Sequence, residues 1–334
     1  MHPSFCFMVR ISPATVVFKD RGVNVKGYIF KRVGFMIVTL FVIVTATFFL
    51  MQLIPGTPFT NPEKLTEKQL VILNAKYGLD QPVAIQYLKY IGNLLQGDLG
   101  YSFQYEGRTV FSMIGDRIGP SAFIGLQALI FGSIIGLLLG IFSALKHNSV
   151  YDYLSVTIAV LGMSIPSFVF AALLQYYVGV KLEWLPVALW EGYSSTILPS
   201  FALSVTVIAT VARFIRSEML EVLGQDYVTT ARAKGLSEWT VIVKHVTRNA
   251  LIPVVTMLGP LAVSIMTGTL VIEKIFSVPG LGEQFTLSIL VLDYSVIMGI
   301  TLFYSGLFIL VVFLVDILYG LLDPRIDYKG AEQS

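Results

Sequence analysis

The sequence predicts an all-α integral membrane protein of six transmembrane helices, with a folded helical loop outside the membrane after the first. Three observations carry this. The 334 residues are 55% hydrophobic and only 13% charged, with a mean hydropathy of +0.76, which leaves too few polar groups to cover a water-soluble surface. Six long uncharged runs recur along the chain, and a hydrocarbon core of about 30 Å takes about 20 apolar residues as a helix, the form that pairs its own backbone. Lys and Arg gather in particular flanking segments, which sets an orientation.

Residues 1–26 contain Arg10, Lys19, Arg21 and Lys26 but no apolar stretch ending in a small-residue cleavage site, so they do not read as a secretory signal. They read as a disordered cytoplasmic extension, or as residues before a true start near Lys31-Arg32. The apolar runs are 33–54, 120–145, 154–178, 196–212, 250–272 and 296–322. Lys26, Lys31 and Arg32 before the first run, and Arg213, Arg216, Arg232, Lys234, Lys244 and Arg248 between the fourth and fifth, place both segments in the cytoplasm. Six spans then bring the Asp323-Pro324-Arg325 tail, with 326–334, to the same side.

The first external loop, within the segment 27–119, reads as folded. Thr66 with Gln69 forms a capping box, Leu70, Leu73 and Tyr77 share a face, and Gly78 stops that helix. Pro82 suits the first turn of a second helix, where Val83, Tyr87, Tyr90 and Leu94 fall at helical spacing to pack on the first or on the membrane domain. The loop is either a cap on the outer mouth or a docking element. Trp184, Trp190 and Tyr193 in the second external loop fit an outer aromatic belt.

Gly132, Gly136 and Gly140 make a small-xxx-small stripe for close helix packing. Pro166, Pro253 and Pro260 should kink or interrupt their helices, beside a path or simply in packing. Charge is scarce inside the spans: Glu273 sits at one end of the fifth and Asp316 near the end of the sixth, each meeting interfacial water or a neighbouring helix, or serving transport. A carrier driven by an ion gradient needs more, so the energy comes from elsewhere. Cys6 and three scattered histidines suggest neither disulfide nor metal site, and no nucleophile with a base or paired intramembrane acids suggest an enzyme.

The loop 213–250 is too patterned for a linker. Asp226 opens a short helix that carries Arg232 and Lys234 in its last turn and stops at Gly235. Ser237 caps a second, in which Trp239, Ile242, Val243 and Val246 share a face, with Lys244, His245 and Arg248 on others. The pair is a membrane-surface element or a lever for a cytoplasmic protein.

Ala231-Arg232-Ala233-Lys234-Gly235, followed by His245, Arg248, Asn249, Ala250 and Pro253, resembles the cytoplasmic signature loop of ABC importer permeases, in the branch serving oligopeptides, dipeptides and nickel. Leu53-Ile-Pro-Gly56, Tyr77-Gly-Leu-Asp-Gln-Pro82, Gly97-Asp-Leu-Gly-Tyr-Ser102, Phe276-Ser-Val-Pro-Gly-Leu-Gly282 and Asp323-Pro-Arg325 also match, in order, from about Lys26 to Arg325. The first-subunit type fits best. Where the wider signature has Glu-Ala-Ala, this chain has Thr229-Thr230-Ala231, so no coupling role can rest on a Glu there. The resemblance implies a type I importer transmembrane domain over 120–325, alternating access, and an oligopeptide substrate. It also implies as partners a second permease, two cytoplasmic ATPases and an external substrate-binding protein, in a bacterial inner membrane with both termini cytoplasmic. No phosphate-binding G-x-x-x-x-G-K-[ST] loop is present, so this chain binds no cofactor and ATP with Mg belongs to the ATPases. Asp226, Ala231, Arg232, Ala233, Lys234, Gly235, His245, Arg248 and Asn249 are the expected coupling residues; Glu273, Pro279, Gly280 and Gly282 are candidates for path or gate.

Overall fold

The computed structural model describes residues 25–59, 66–268 and 270–322, so all but the end of the expected 1–26 extension, and the 323–334 tail, lie outside the described residues. Among the described residues the chain is helical apart from turns and one isolated antiparallel bridge, Tyr101 to Thr109. Five helices are long and apolar enough to cross a membrane, and a bent pair makes a sixth crossing if taken as one broken span. They are α1 (Val25–Leu53), α4 (Val110–Leu145), α7 (Ser194–Leu223), α10 (Arg248–Gly268) with the turns before it, α13 (Tyr294–Leu322), and the pair α5 (Val150–Ser164) with α6 (Ser167–Leu174). Phe30, Ile37 and Val38 on α1 and Leu138 on α4 are exposed, the faces that lipid or a partner must cover.

The centre of the bundle is α4 against α7. Gly132, Gly136 and Gly140 are all buried. A Cβ at Gly132 would overlap Val207, one at Gly136 would lie 2.9 Å from the Ile208 carbonyl oxygen, and one at Gly140 would overlap the Ala212 carbonyl and Ile215. Glycine therefore lets two backbones come within contact, and dispersion between them holds the pair where no hydrophobic effect operates. Val207, Val211 and Ile215 on α7 are fully buried in this seam, and Met219 is buried beyond it.

The loop between α1 and α4 folds as expected and is tied down. Helix α2 (Glu67–Tyr77) has the reciprocal Thr66–Gln69 capping box, and Gly78 ends it at φ 69°. Helix α3 (Val83–Leu95) has Pro82 one residue earlier than expected, at its N-cap. It packs on the membrane helix α1: the Tyr87 ring lies 5.3 Å from that of Phe48, Tyr90 stacks on Phe48 at 5.7 Å, and the Thr45 and Tyr87 hydroxyls are 2.7 Å apart. Burial there pushes the Tyr90 phenol up to about 12. Farther on, Ser102 Oγ donates to the buried Asp293 carboxylate, Phe103 N–H donates to Asp293 Oδ1 at 3.2 Å, and Gln104 Nε2 reaches the Pro58 and Val291 carbonyls at 2.7 and 2.6 Å. The Gly97–Ser102 motif is thus a strap onto the start of α13. Helix α4 leaves this strap and ends beside Arg216 of α7, so the α2–α3 loop and the loop after α7 lie at opposite ends of the bundle.

The expected break at Pro166 is present, and the fifth span starts earlier than expected. The run 154–178 is not one helix: α5 and the segment Ser167–Lys181 are bent by 98°. Proline at 166 removes a donor and pushes Ile165 out of helical geometry, to ψ 121°. Pro253 and Pro260, in contrast, interrupt nothing and lie inside α10. The fifth span does not begin at 250: one apolar helical rod runs on from Glu238, and the helical segment after position 269, α11 (Leu270–Phe276), carries Glu273. A further short helix, α12 (Leu281–Leu290), precedes α13.

Candidate functional site

The loop after α7 is built on one short helix, α8 (Asp226–Ala233), set between two long rods. Its Val228 and Ala231 are buried, while Asp226, Arg232 and Ala233, and Lys234 and Gly235 beyond its end, are exposed. Gly235 has φ +75° with open space around the missing Cβ, so its glycine serves backbone conformation and not contact. Its N–H donates to the Arg232 carbonyl at 2.9 Å. Ser237 caps α9 (Glu238–Thr240), accepting from Thr240 N–H at 3.4 Å, and Arg232 Nε donates to Glu238 Oε1 at 2.9 Å across the turn. That exposed pair is worth little energy and spans the turn between α8 and the rod that follows.

The expected second helix departs from its forecast face. Between α9 and α10, residues Val241–Thr247 adopt π-helical geometry. Hydrogen bonds from i to i+5 bring residues five apart onto one face, so Val241 and Val246 are buried together while Trp239 and Val243 stay exposed. His245 is half-buried; its carbonyl accepts from Asn249 Nδ2 at 2.9 Å, and the same amide nitrogen donates to Tyr227 Oη of α8 at 2.9 Å. Asn249 thereby binds α8 to the root of α10. Arg248 is exposed.

A second polar node lies between α11 and α12. The Glu273 side chain is completely buried and meets neighbouring helices, not interfacial water. Its Oε1 accepts from Ser121 Oγ of α4 at 2.6 Å and its Oε2 accepts from Glu283 N–H at 2.9 Å. Ser121 Oγ in turn accepts from Leu281 N–H at 2.7 Å. Gly280 is the N-cap of α12 and offers no side chain, so Glu273 and Ser121 satisfy the first free N–H groups of that helix from outside. A Cβ at Gly280 would overlap the Glu273 carboxylate, and one at Gly282 would lie 2.8 Å from Leu270 Cα. Glu273, Gly280 and Gly282 are thus one unit, with Pro279 in the turn between the two helices. Leu189 N–H, in the loop before α7, donates to the Phe276 carbonyl at 2.9 Å and ties that unit to its neighbour. Asp316 faces Arg32 of α1 as an ion pair.

Several residues outside the sequence-based set hold these elements. Asp152, Ser121, Ser102 and Asp293 are buried polar groups, each bonded across a long sequence separation. For Asp152 a local signal existed: Ser149 three residues before it is a capping-box spacing at the start of α5. Ser102 closes the Gly97–Ser102 motif and Asp293 stands at the N-terminus of α13, an N-cap signal; Ser121 carries no local pattern.

Residues 136–328 match the family described as binding-protein-dependent transport system inner membrane component, and 25–123 match the N-terminal part described for the same systems. The dipeptide transport system permease protein DppB of Lactococcus lactis subsp. cremoris is 48% identical over 299 residues, 90% of this chain and 98% of that one. The oligopeptide transport system permease protein OppB of Haemophilus influenzae is 41% identical over 303 residues, 90% of this chain and 99% of that one. A solved structure of inward-facing conformations of the MetNI methionine ABC transporter aligns over 64% of this chain and 95% of that chain, with 15% identity and a TM-score of 0.48. On matches over 90% of its length and the motifs that end at Gly235 and Gly282, the chain belongs to the family of inner membrane components of binding-protein-dependent transport systems.

Proposed function

We propose that this chain is one of two permease subunits of an ATP-driven ABC importer, forming half of a path for short peptides through a bacterial inner membrane by alternating access. The observation that carries the proposal is α8: a short exposed helix held by Asn249 and by the Arg232–Glu238 pair between two rods that enter the bundle directly. Such a helix is a rigid lever, and a cytoplasmic ATPase gripping Asp226, Arg232, Lys234 and the Gly235 turn would move α7 and α10 with it. Two ATPases supply hydrolysis, with ATP and Mg bound on them. An external binding protein supplies the ligand, and both termini lie on the ATPase side. The relatives are named for dipeptides and for oligopeptides, at 48% and 41% identity. This supports peptide as the substrate class and widens the sequence-based expectation of oligopeptide to include dipeptides. The unit of Glu273, Pro279, Gly280 and Gly282 is the proposed gate, since α12 is too short to cross and packs against α4 instead.

The test is reconstitution in liposomes with the second permease, both ATPases and the binding protein. Peptide uptake that requires ATP and binding protein, and that Gly235→Pro abolishes while the complex still assembles, is the expected result. Uptake that persists without nucleotide and collapses with the ion gradient overturns the reading in favour of a secondary carrier.

A further inference from the structure

The joint that passes motion from α8 into the bundle lies away from the signature loop, at the α8 end of α4, α5 and α7. Asp152, at the start of α5, has a side chain 2% exposed. Arg216 of α7 grips it with both arms of its fork, Nε to Oδ1 at 2.7 Å and Nη2 to Oδ2 at 2.7 Å. Ser143 Oγ of α4 donates to Oδ1, Asn148 N–H donates to Oδ2 at 3.0 Å, and His147 Nδ1 lies 3.2 Å from Oδ2 and 3.3 Å from Arg216 Nη2. One carboxylate therefore fastens three helices and the Lys146–Ser149 turn that joins two of them. Asn148 holds that turn at φ 61°, the left-handed region that asparagine tolerates.

Position along α7 gives the cluster its meaning. The glycine seam with α4 ends where Gly140 meets Ala212 and Ile215, and Arg216 is the next residue. From Arg216 to the end of α7 at Leu223 is about 10 Å of helix, and α8 starts three residues later. Without the Arg216–Asp152 pair, α7 beyond the seam would be held by apolar packing alone, at Met219 and Leu220, which fixes no angle, and part of a push on α8 would be absorbed there. With it, α7 is clamped to α4 and α5 up to its final two turns, so displacement of α8 moves all three helices. The bidentate fork matters because two parallel bonds fix an angle as well as a distance. On the far side, Asn249 secures α8 to α10, which makes the lever double-ended.

We infer that Arg216 and Asp152 form a positioning pair that transmits the stroke of α8 to α4 and α5, setting how much transport each ATP hydrolysed yields. This rests on the importer reading above. The test uses the complete reconstituted complex and measures ATP hydrolysis and peptide uptake in the same liposomes. Wild type must first show ATP-dependent uptake; if it does not, it is the importer reading that fails. Given that uptake, Arg216→Gln and Asp152→Asn should leave co-purification with the ATPases intact, retain hydrolysis within about twofold, and lower peptide moved per ATP at least tenfold. Arg216→Lys keeps the charge, loses the fork and is the mildest of the set for folding; it should lower the same ratio about threefold or more. The reversed pair, Asp152→Arg with Arg216→Asp, should recover part of it. A ratio unchanged in Arg216→Lys and Arg216→Gln, or hydrolysis and uptake falling in proportion, would assign the pair to folding alone and overturn the inference.

Discussion

The carboxylate of Glu273 occupies the space that a side chain at position 280 would need: a Cβ on Gly280 would overlap both of its oxygens. Gly280 has φ −98°, which any residue adopts, so the requirement for glycine is spatial. Gly280→Ala should push Glu273 off Ser121 and Glu283 and lower stability by about 1–3 kcal/mol, the usual cost of overpacking. In a Glu273→Ala background the same substitution should cost much less, because the obstruction is gone. Thermal unfolding of the two single variants and the double variant in detergent measures this; additive losses would mean that the two residues do not meet.

On the glycine seam, Gly140→Val should drive α4 from α7 and reduce the amount of folded protein in the membrane, at about 1–3 kcal/mol or more for forced backbone separation. Gly92 in α3 is the matched control, since nothing lies within 4 Å of an added Cβ there. Gly92→Ala should leave expression unchanged and raise the unfolding midpoint slightly, by the roughly 0.4–1 kcal/mol that alanine gains in a compatible helix. Equal behaviour of the two variants would refute the close-packing account.

Gly235 presents the opposite case, with open space and a left-handed backbone. Gly235→Ala should cost about 1–2 kcal/mol locally, and Gly235→Asn should cost less because asparagine tolerates that region. The expected signature is a graded loss of peptide uptake in the order Pro, Ala, Asn, with the ATPases still co-purifying. A Gly235→Ala chain that transports like wild type would remove the turn from the coupling proposal.

At the opposite end of the bundle, Asp293 receives Ser102 Oγ and Phe103 N–H and also caps the start of α13 through Val296 N–H at 3.4 Å. Asp293→Ala leaves those donors buried without a partner, at about 1–3 kcal/mol. The strap 98–109 should then exchange its amide hydrogens faster while α4 and α7 keep their protection. Uniform loss of protection across the bundle would show that the strap is not an independent unit.

Local features were readable before any fold was known. The Thr66–Gln69 box, the Gly78 stop, the Pro166 break and the stop at Gly235 each depend on a few consecutive residues and on backbone rules that act within one turn. The small-residue stripe was readable too, because its spacing repeats once per turn. Trp239 misled for a related reason: a 3.6-residue period was applied to a segment that winds as a π-helix, so the buried pair became Val241 and Val246. Pro253 and Pro260 lie inside α10, which runs on through both, so neither interrupts its helix.

The sequence alone determined that the chain spans a membrane, where its apolar runs lie and which loop carries the signature, because hydropathy and turn chemistry are properties of neighbouring residues. Only the tertiary structure decided that Glu273 is buried beneath Gly280, that Asp293 holds Ser102, and that Arg216 reaches Asp152. The partners in those contacts are 152, 191 and 64 residues apart, taking Ser121 as the partner of Glu273. A buried polar group in an apolar medium must find a partner or cost several kcal/mol, roughly, but which partner it finds depends on which helices pack side by side, and a single line of residues does not contain that arrangement.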